Sequence, residues 1–462
     1  MRFASASGVG TERSFLCGTG GHGMNESEFF KKLRAAGGRG YLAGGAVRDM
    51  VMGRAAHDRD YLVCGMLPSE FSALFPDARR AGKSFPVFLL EIGGAVCEVA
   101  FARVERKTGR GYTGFEARCG KEITVEQDLA RRDTTINSMA ADEEGRIIDP
   151  YGGVSDIRRK IIRATSAEHF AEDPVRALRA ARQAAQFGFG IEPATLALMG
   201  LCAEELRAEP AERKFAELQK ALASPAPSRY FRALLAAGLL SQEFSQIAAL
   251  IGKSQPPEYH PEGDAFEHTM MVVDRAAAGG ASPEAVFAAL MHDVGKGTTP
   301  EDMLPHHYGH EERGLALLPE IAAALKIPKR WRKCAEFVIK EHMRASLVKS
   351  PAKLRDLVRA LENGPISRRD FEIVVAADNG GKIPDWLARF DEYLAVLKSA
   401  AAPPVPERFR GAKIGEYIRN REAQALKDFI TNYNEERGRR IQRQQLNHGR
   451  CGNAAMCVEV GD

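Results

Sequence analysis

No apolar run in the sequence approaches the ~20 residues that a membrane-spanning helix requires. The longest runs, such as Val286–Met291, have the length of buried core helices. No membrane partner is therefore expected. Residues 1–23 are rich in Gly and Ser and lack the apolar stretch of a signal peptide. They read as a disordered extension, or as sequence upstream of a true start at Met24. The eight cysteines form no CxxC pair and no regular framework, which points to reduced thiols and a cytoplasmic location. There is no long basic tail, and the net charge is only +4. The basic clusters at Arg158–Lys160, Lys329–Lys333 and Arg437–Arg443 read first as solvated helix faces. Composition thus permits an RNA partner without arguing for one.

What is present is enough apolar residue for several cores. A chain of 462 residues predicts two to four domains. The first third alternates short β-rich runs (Tyr61–Cys64, Val87–Ile92 and Ala95–Ala100) with Gly, Pro and charge. From about Asp173 the apolar spacing turns helical, interrupted at Ser224–Ser228 and again at Lys253–Pro261. The pattern predicts an α+β protein, a small α/β head followed by an all-α remainder. Its expected divisions are a head at 24–150, a neck at 151–225, a helical body and linker at 226–263, a third block at 264–365 and a tail at 366–446. Residues 447–462 are expected to be disordered. Monomer and homodimer both remain open.

Within the head, Tyr41–Leu62 reads YLAGGAVRDMVMGRAAHDRDYL. Paired glycines between an apolar strand and a helix let backbone N–H groups approach a polyphosphate, and Gly45 is the candidate contact. Arg48, one turn on, places a forked cation against phosphate oxygens. Asp58 and Asp60 alternate on entry to the run YLV, so both carboxylates are expected on one strand face. Two hard oxygen ligands side by side suit Mg²⁺, and metals so held serve attack by a hydroxyl and departure of pyrophosphate. Glu98 in CEVAF is a candidate third ligand, or part of a solvated strand face.

In the neck, Glu172–Arg182 reads EDPVRALRAAR. Asp173 and Arg176, three apart, predict either an intrahelical ion pair or a base reader. A carboxylate only accepts and a guanidinium only donates, which complements the donor–acceptor edges of cytosine and adenine. Uracil and guanine would leave both groups unsatisfied. In the third block His268 (FEHTMM), His292–Asp293 (LMHDVGKG) and Asp378 (AADNGG) sit on apolar helices. Three nitrogen or oxygen ligands beside an open position make a hydrolytic metal site, and imidazole favours Ni, Zn or Co over Mg. His306, His307, His310 and His342 are open candidates for further ligands or phosphate contacts.

These strings resemble the nucleotidyltransferase superfamily that includes DNA polymerase beta. From about Tyr41 to Phe429 the chain is most similar to the class II tRNA nucleotidyltransferases, the CCA-adding enzymes, and their poly(A) polymerase relatives. LARRDTTIN at Leu129–Asn137 resembles that family's second motif, which implies a nucleotide contact for Arg132. Ala102–Phe115 resembles its flexible loop, and DPYGG at Asp149–Gly153 its hinge. The EDxxR motif implies base selection by Asp173 and Arg176, with Arg179 and Arg182 reaching the nucleotide. Gln183 stands where the family usually has Phe. The third block resembles the HD phosphohydrolase superfamily. Together the two resemblances imply a polymerase-beta-like head followed by neck, HD domain and tail. They imply CCA addition to tRNA from CTP and ATP, with Mg²⁺. They also imply phosphatase, 2′-nucleotidase and 2′,3′-cyclic phosphodiesterase activity on a transition metal such as Ni²⁺. Poly(A) polymerase, a partial C- or A-adding enzyme, and a tRNA-binding hydrolase with an inactive head are the alternatives.

Overall fold

A computed structural model describes residues 24–55, 59–81, 85–107, 109 and 115–452. It divides into two compact units, the first reaching Arg159 and including Ala164–His169, the second formed by Lys160–Arg163 and everything from Phe170.

The first unit contains strands β1 (Arg39–Ala43), β2 (Asp60–Cys64), β3 (Arg79–Ala81), β4 (Val87–Ile92), β5 (Ala95–Phe101), β6 (Arg103–Lys107), β7 (Phe115–Cys119), β8 (Ala140–Ala141) and β9 (Ile147–Ile148). Seven of them form one sheet in the order β3-β4-β5-β2-β1-β8-β9, and β6 and β7 make a separate ribbon. β2 runs parallel to β5, and the other sheet neighbours are antiparallel. The three β-rich runs of the sequence become β2, β4 and β5 with bounds shifted by no more than a residue.

Alternation along the strands divides the sheet into two faces. Tyr61, Val63, Val99 and Phe101 pack on one face against Phe29 and Leu33 of helix Glu26–Ala35, which a capping box of Asn25 and Glu28 starts. Phe71 from helix Pro68–Leu74 fills the same layer and is fully buried, so its truncation to Ala would cost about 3–5 kcal/mol. Leu62 and Cys64 pack on the other face with Val125 and Leu129 of helix Val125–Ala130. By the same alternation Asp60 and Glu98 belong to this second face. Asp149–Gly153, expected as the hinge, lies within the first unit, shortly before its end at Arg159. The Asp149 carboxylate accepts from the N–H groups of Gly153 (2.6 Å) and Val154 (2.9 Å), capping helix Gly153–Arg159.

The second unit is almost wholly helical. Helix Val175–Phe187 packs on helix Ala211–Leu222, and the predicted interruptions at 224–228 and 253–261 fall between helices, apart from Ser228, which opens the next one. Residues 285–291 of helix Pro283–Met291 are all buried, the reason that its sequence is apolar on every side. Around it stand helices Ala265–Ala278, Lys329–Leu347 and Arg368–Asp378. The tail helix Ala412–Gly452 is anchored by buried Glu422, which accepts from Arg355 and Arg359 of helix Pro351–Glu362. Among the described residues no helix is long and apolar enough to cross a membrane.

Candidate functional site

In the head, β1 ends at Gly44, whose N–H donates to the Met139 carbonyl (3.0 Å). Its φ of 69° suits glycine, and a Cβ there would stand 2.7 Å from Arg132 Nη1. Gly45, singled out in the sequence, opens helix Gly45–Val51 with room for a side chain, so Gly44 is the position that demands glycine. The same turn gathers both predicted phosphate arginines. Arg48 Nη1 donates to Asn137 Oδ1 (2.7 Å) and Arg132 Nη1 to the Asn137 carbonyl (3.3 Å). Fully buried Asp128 accepts from Arg132 and from Arg131. Burial opposes its charge, but the two guanidiniums outweigh that and lower its pKa. Asn137 and Asp128 thus fix the arginines in place, and neither role could be read from the chain without knowing the burial.

Asp60, the first residue of β2, is the register partner of Glu98 on β5. Both are exposed, so two carboxylates stand on adjacent strands and the same face. Asp58 lies outside the described residues, as do most of those between β6 and β7 in the segment expected to be a flexible loop.

In the neck, helix Val175–Phe187 begins after Asp173, which occupies the preceding turn rather than the helical face its spacing suggested. Its carboxylate accepts from the Val175 N–H (3.2 Å) and at both oxygens from Arg213 Nη2 (3.1 and 3.0 Å). Arg213 belongs to helix Ala211–Leu222, forty residues on, and no local signal marks it. Arg176 is buried, and Arg179 is part-buried on the next turn. Arg182 donates to buried Glu217 (2.5 Å) and to Gln186 (2.7 Å), bracing the two helices together. Gln183 is fully buried.

The third block brings its predicted residues into one cluster. His268 lies on helix Ala265–Ala278, His292–Asp293 follow helix Pro283–Met291, and Asp378 ends helix Arg368–Asp378 beyond residue 365. His310, which begins helix His310–Ala324, and His342 on helix Lys329–Leu347 join them. Gly295 makes this possible, since a Cβ there would lie 2.0 Å from the His310 carbonyl. His307 instead bonds Thr299 (2.8 Å) and the Ser254 carbonyl (3.0 Å), and His306 stacks on Tyr308.

The four clustered imidazoles are oriented alike. Their Nδ1 atoms face Glu262 (His268, 2.6 Å), the Ala289 carbonyl (His292, 2.7 Å), the His307 carbonyl (His310, 3.0 Å) and the Val338 and Ile339 carbonyls (His342, 3.0 Å each). An Nδ1–H that donates leaves a lone pair on Nε2. The Nε2 pairs of His268 with His292 and of His310 with His342 each stand 3.4 Å apart. Asp378 Oδ1 lies 3.0 Å from His268 Nε2. Asp293 Oδ2 lies 3.1 Å from His292 Nε2 and its Oδ1 3.2 Å from His310 Nε2, yet buried Oδ1 makes no hydrogen bond. Acceptors so opposed require positive charge. Burial disfavours the His292 imidazolium, but Asp293 and Asp378 more than compensate and raise its pKa to about 10. A metal ion satisfies the same demand. Three donor sets could hold one among the described residues: His268 with His292 and Asp378, Asp293 with His310 and His342, and, at the rim, His260 with Glu262 and His268.

Comparison with known proteins agrees with this geometry. The poly A polymerase head domain matches residues 40–163, the probable RNA and SrmB-binding site of polymerase A matches 188–251, and the HD domain matches 265–378. The multifunctional CCA protein of Nitrosococcus oceani is 40% identical over 406 residues, 84% of this chain and 98% of that protein. This chain belongs to the multifunctional CCA protein family. The family member from Cupriavidus metallidurans is 48% identical over 311 residues, 65% of this chain and 74% of that one. The Bacillus stearothermophilus CCA-adding enzyme in complex with CTP shares the fold, with TM-score 0.62 and 23% identity over 90% of this chain and 97% of that one. A CCA-adding enzyme with ATP matches at TM-score 0.57 and 20% identity, covering 86% of this chain and 87% of that one. The multifunctional CCA resemblance read from the sequence, and the head–neck–HD fold it implied, are borne out.

Proposed function

We propose that this multifunctional CCA family member adds CCA to the 3′ end of tRNA from CTP and ATP, and hydrolyses phosphoesters at its HD cluster. The observation that carries the reading is the pairing in one chain of two sites. One is a head with the Gly44–Arg48–Arg132–Asn137 constellation beside exposed carboxylates, the other a buried six-residue His/Asp cluster.

In the head, Asp58 and Asp60 would hold Mg²⁺, with Glu98 as third carboxylate by its register with Asp60. An ion held there would supply electrostatic stabilisation for 3′-hydroxyl attack on the α-phosphate and for the departing pyrophosphate. Arg48 and Arg132, already oriented by Asn137 and Asp128, bind the triphosphate and sugar. Gly45 contributes backbone N–H. Asp173 and Arg176 select the base by hydrogen-bond polarity, with Arg213 steadying Asp173. Arg179 and Arg182 lie along the same helix, and the Glu217 contact gives Arg182 a bracing role as well.

In the HD cluster His268, His292 and Asp378, with Asp293 beside His292, would hold a transition metal such as Ni²⁺, and Asp293 with His310 and His342 would hold a second. Metals there would polarise a phosphoryl oxygen. Glu262, Ala289 and His307 keep the imidazoles in the ligating tautomer. Phosphatase, 2′-nucleotidase and 2′,3′-cyclic phosphodiesterase activities are the substrates' range, in a cytoplasmic tRNA-repair setting.

The test is to supply tRNA lacking its 3′ tail with all four nucleotides and to sequence the products. Addition of CCA alone supports the reading. A poly(A) tail, C or A alone, or no extension would replace it with the corresponding alternative.

A further inference from the structure

In the neck, the carboxylate of Asp173 is tied through one guanidinium to a second, buried carboxylate. Glu209 follows helix Ala203–Ala208, and its side chain is 1% exposed. Its Oε2 accepts from Arg213 Nη1 at 2.5 Å, while its Oε1 is buried without a hydrogen-bond partner. Nη2 of the same guanidinium donates to both oxygens of Asp173, at 3.1 and 3.0 Å. Pro210 makes the Glu209 contact possible. It keeps the residue before it extended, at φ −68° and ψ 143°, so the carboxylate stays outside helix Ala211–Leu222 and meets Arg213 in its first turn.

The two carboxylates depend on Arg213 unequally. The Asp173 side chain is 24% exposed, so water can take over part of its hydrogen bonding, and an ion pair so placed is weak and loosely held by itself. Glu209 has no such alternative. A buried carboxylate that loses its cation keeps an uncompensated charge, which is strongly destabilising. Arg213 is therefore gripped from the closed side and presents its other amino group to the open one. Because the guanidinium is planar and rigid, fixing Nη1 also fixes Nη2.

We propose that Glu209 is a positioning residue for base selection. It anchors Arg213 so that Nη2 straddles the Asp173 oxygens, and thereby keeps that carboxylate turned to accept from the amino group of cytosine or adenine. A buried acid that need not touch the nucleotide thus joins the residues that set specificity. The inference rests on the proposed base reading by Asp173 and Arg176.

The test is a double-mutant cycle read in nucleotide preference. Values of kcat and KM for CTP, ATP, UTP and GTP, together with melting temperature, are measured on the full chain and on Glu209→Ala, Glu209→Gln, Arg213→Ala and Asp173→Ala. Glu209→Ala is combined with Arg213→Ala as well. Glu209→Ala is expected to raise UTP use relative to CTP, and GTP use relative to ATP, by roughly three- to tenfold in kcat/KM, mainly through KM. Glu209→Gln keeps an oxygen for Arg213 and fills the same space, so it should fold normally and shift preference by a smaller factor of about two to three. In the Arg213→Ala background Glu209→Ala should shift preference no further, because the anchor has nothing left to hold. Unchanged preference in Asp173→Ala would overturn the base reading itself, and this inference with it. Altered preference there would leave the base reading standing. Unchanged preference in the folded Glu209 variants, a loss shared equally by all four nucleotides, or full additivity with Arg213→Ala would then overturn the role of Glu209 alone.

Discussion

The two sites of this protein solve the problem of holding cations in opposite ways. The head presents exposed Asp60 and Glu98 on adjacent strands, brought together by strand register. The HD cluster encloses its ligands among helices and fixes each imidazole through Nδ1. An exposed carboxylate pair retains its hydration and suits a hard ion that arrives with a nucleotide. A buried His/Asp set has surrendered hydration already and suits an ion that stays. Orientation work in the head falls instead on the arginines, through Asp128 and Asn137.

The largest effect that could break this contrast comes from the head carboxylates. Asp60→Ala, and equally Asp58→Ala, should lower nucleotide addition by several kcal/mol of transition-state stabilisation, roughly 10³-fold or more. Melting temperature and HD hydrolysis should hold, because Asp60 is exposed and each variant removes only a metal ligand; normal addition rates would end the metal assignment. The converse variant, His292→Ala with Asp293→Ala, should abolish phosphodiesterase activity and spare CCA addition. Here a fall in melting temperature is also expected, since the buried Lys296 loses its carboxylate. Equal loss of both activities in a well-folded double variant would contradict independent sites.

A smaller change probes the enclosed site's second layer. Glu262→Gln should weaken metal binding and hydrolysis by about 10–100-fold, as the carboxylate orienting His268 becomes neutral. Metal analysis after dialysis would check it, and full retention would show that burial alone suffices. In the neck, Asp173→Ala or Arg176→Ala should raise UTP or GTP incorporation relative to CTP and ATP by roughly 10–100-fold. Arg213→Ala, which frees Asp173 and also the buried Glu209 carboxylate, should relax selectivity by about tenfold. Competition among all four nucleotides measures both; lowered stability with unchanged preference would reduce Asp173 to a structural ion-pair partner.

Much of this was legible in the chain because it is local. Alternation in YLVC and CEVAF gave the strands, and the unbroken apolar run ending at His292 gave the central helix. Helix spacing failed at Asp173, where Pro174 makes the preceding residue part of a turn. The helix cap within DPYGG was not legible, since the Asp149 carboxylate meets N–H groups that only the folded turn presents.

Sequence by itself determined the elements, the chemistry of the motifs and the family, because side-chain type and short-range periodicity are properties of the chain. Only tertiary structure paired Asp60 with Glu98, Asp173 with Arg213 and Arg48 with Asn137. It alone drew His310 and His342 to Asp293. Those facts depend on which distant segments meet and which polar atoms lose water when they do. Neither is encoded at any one position.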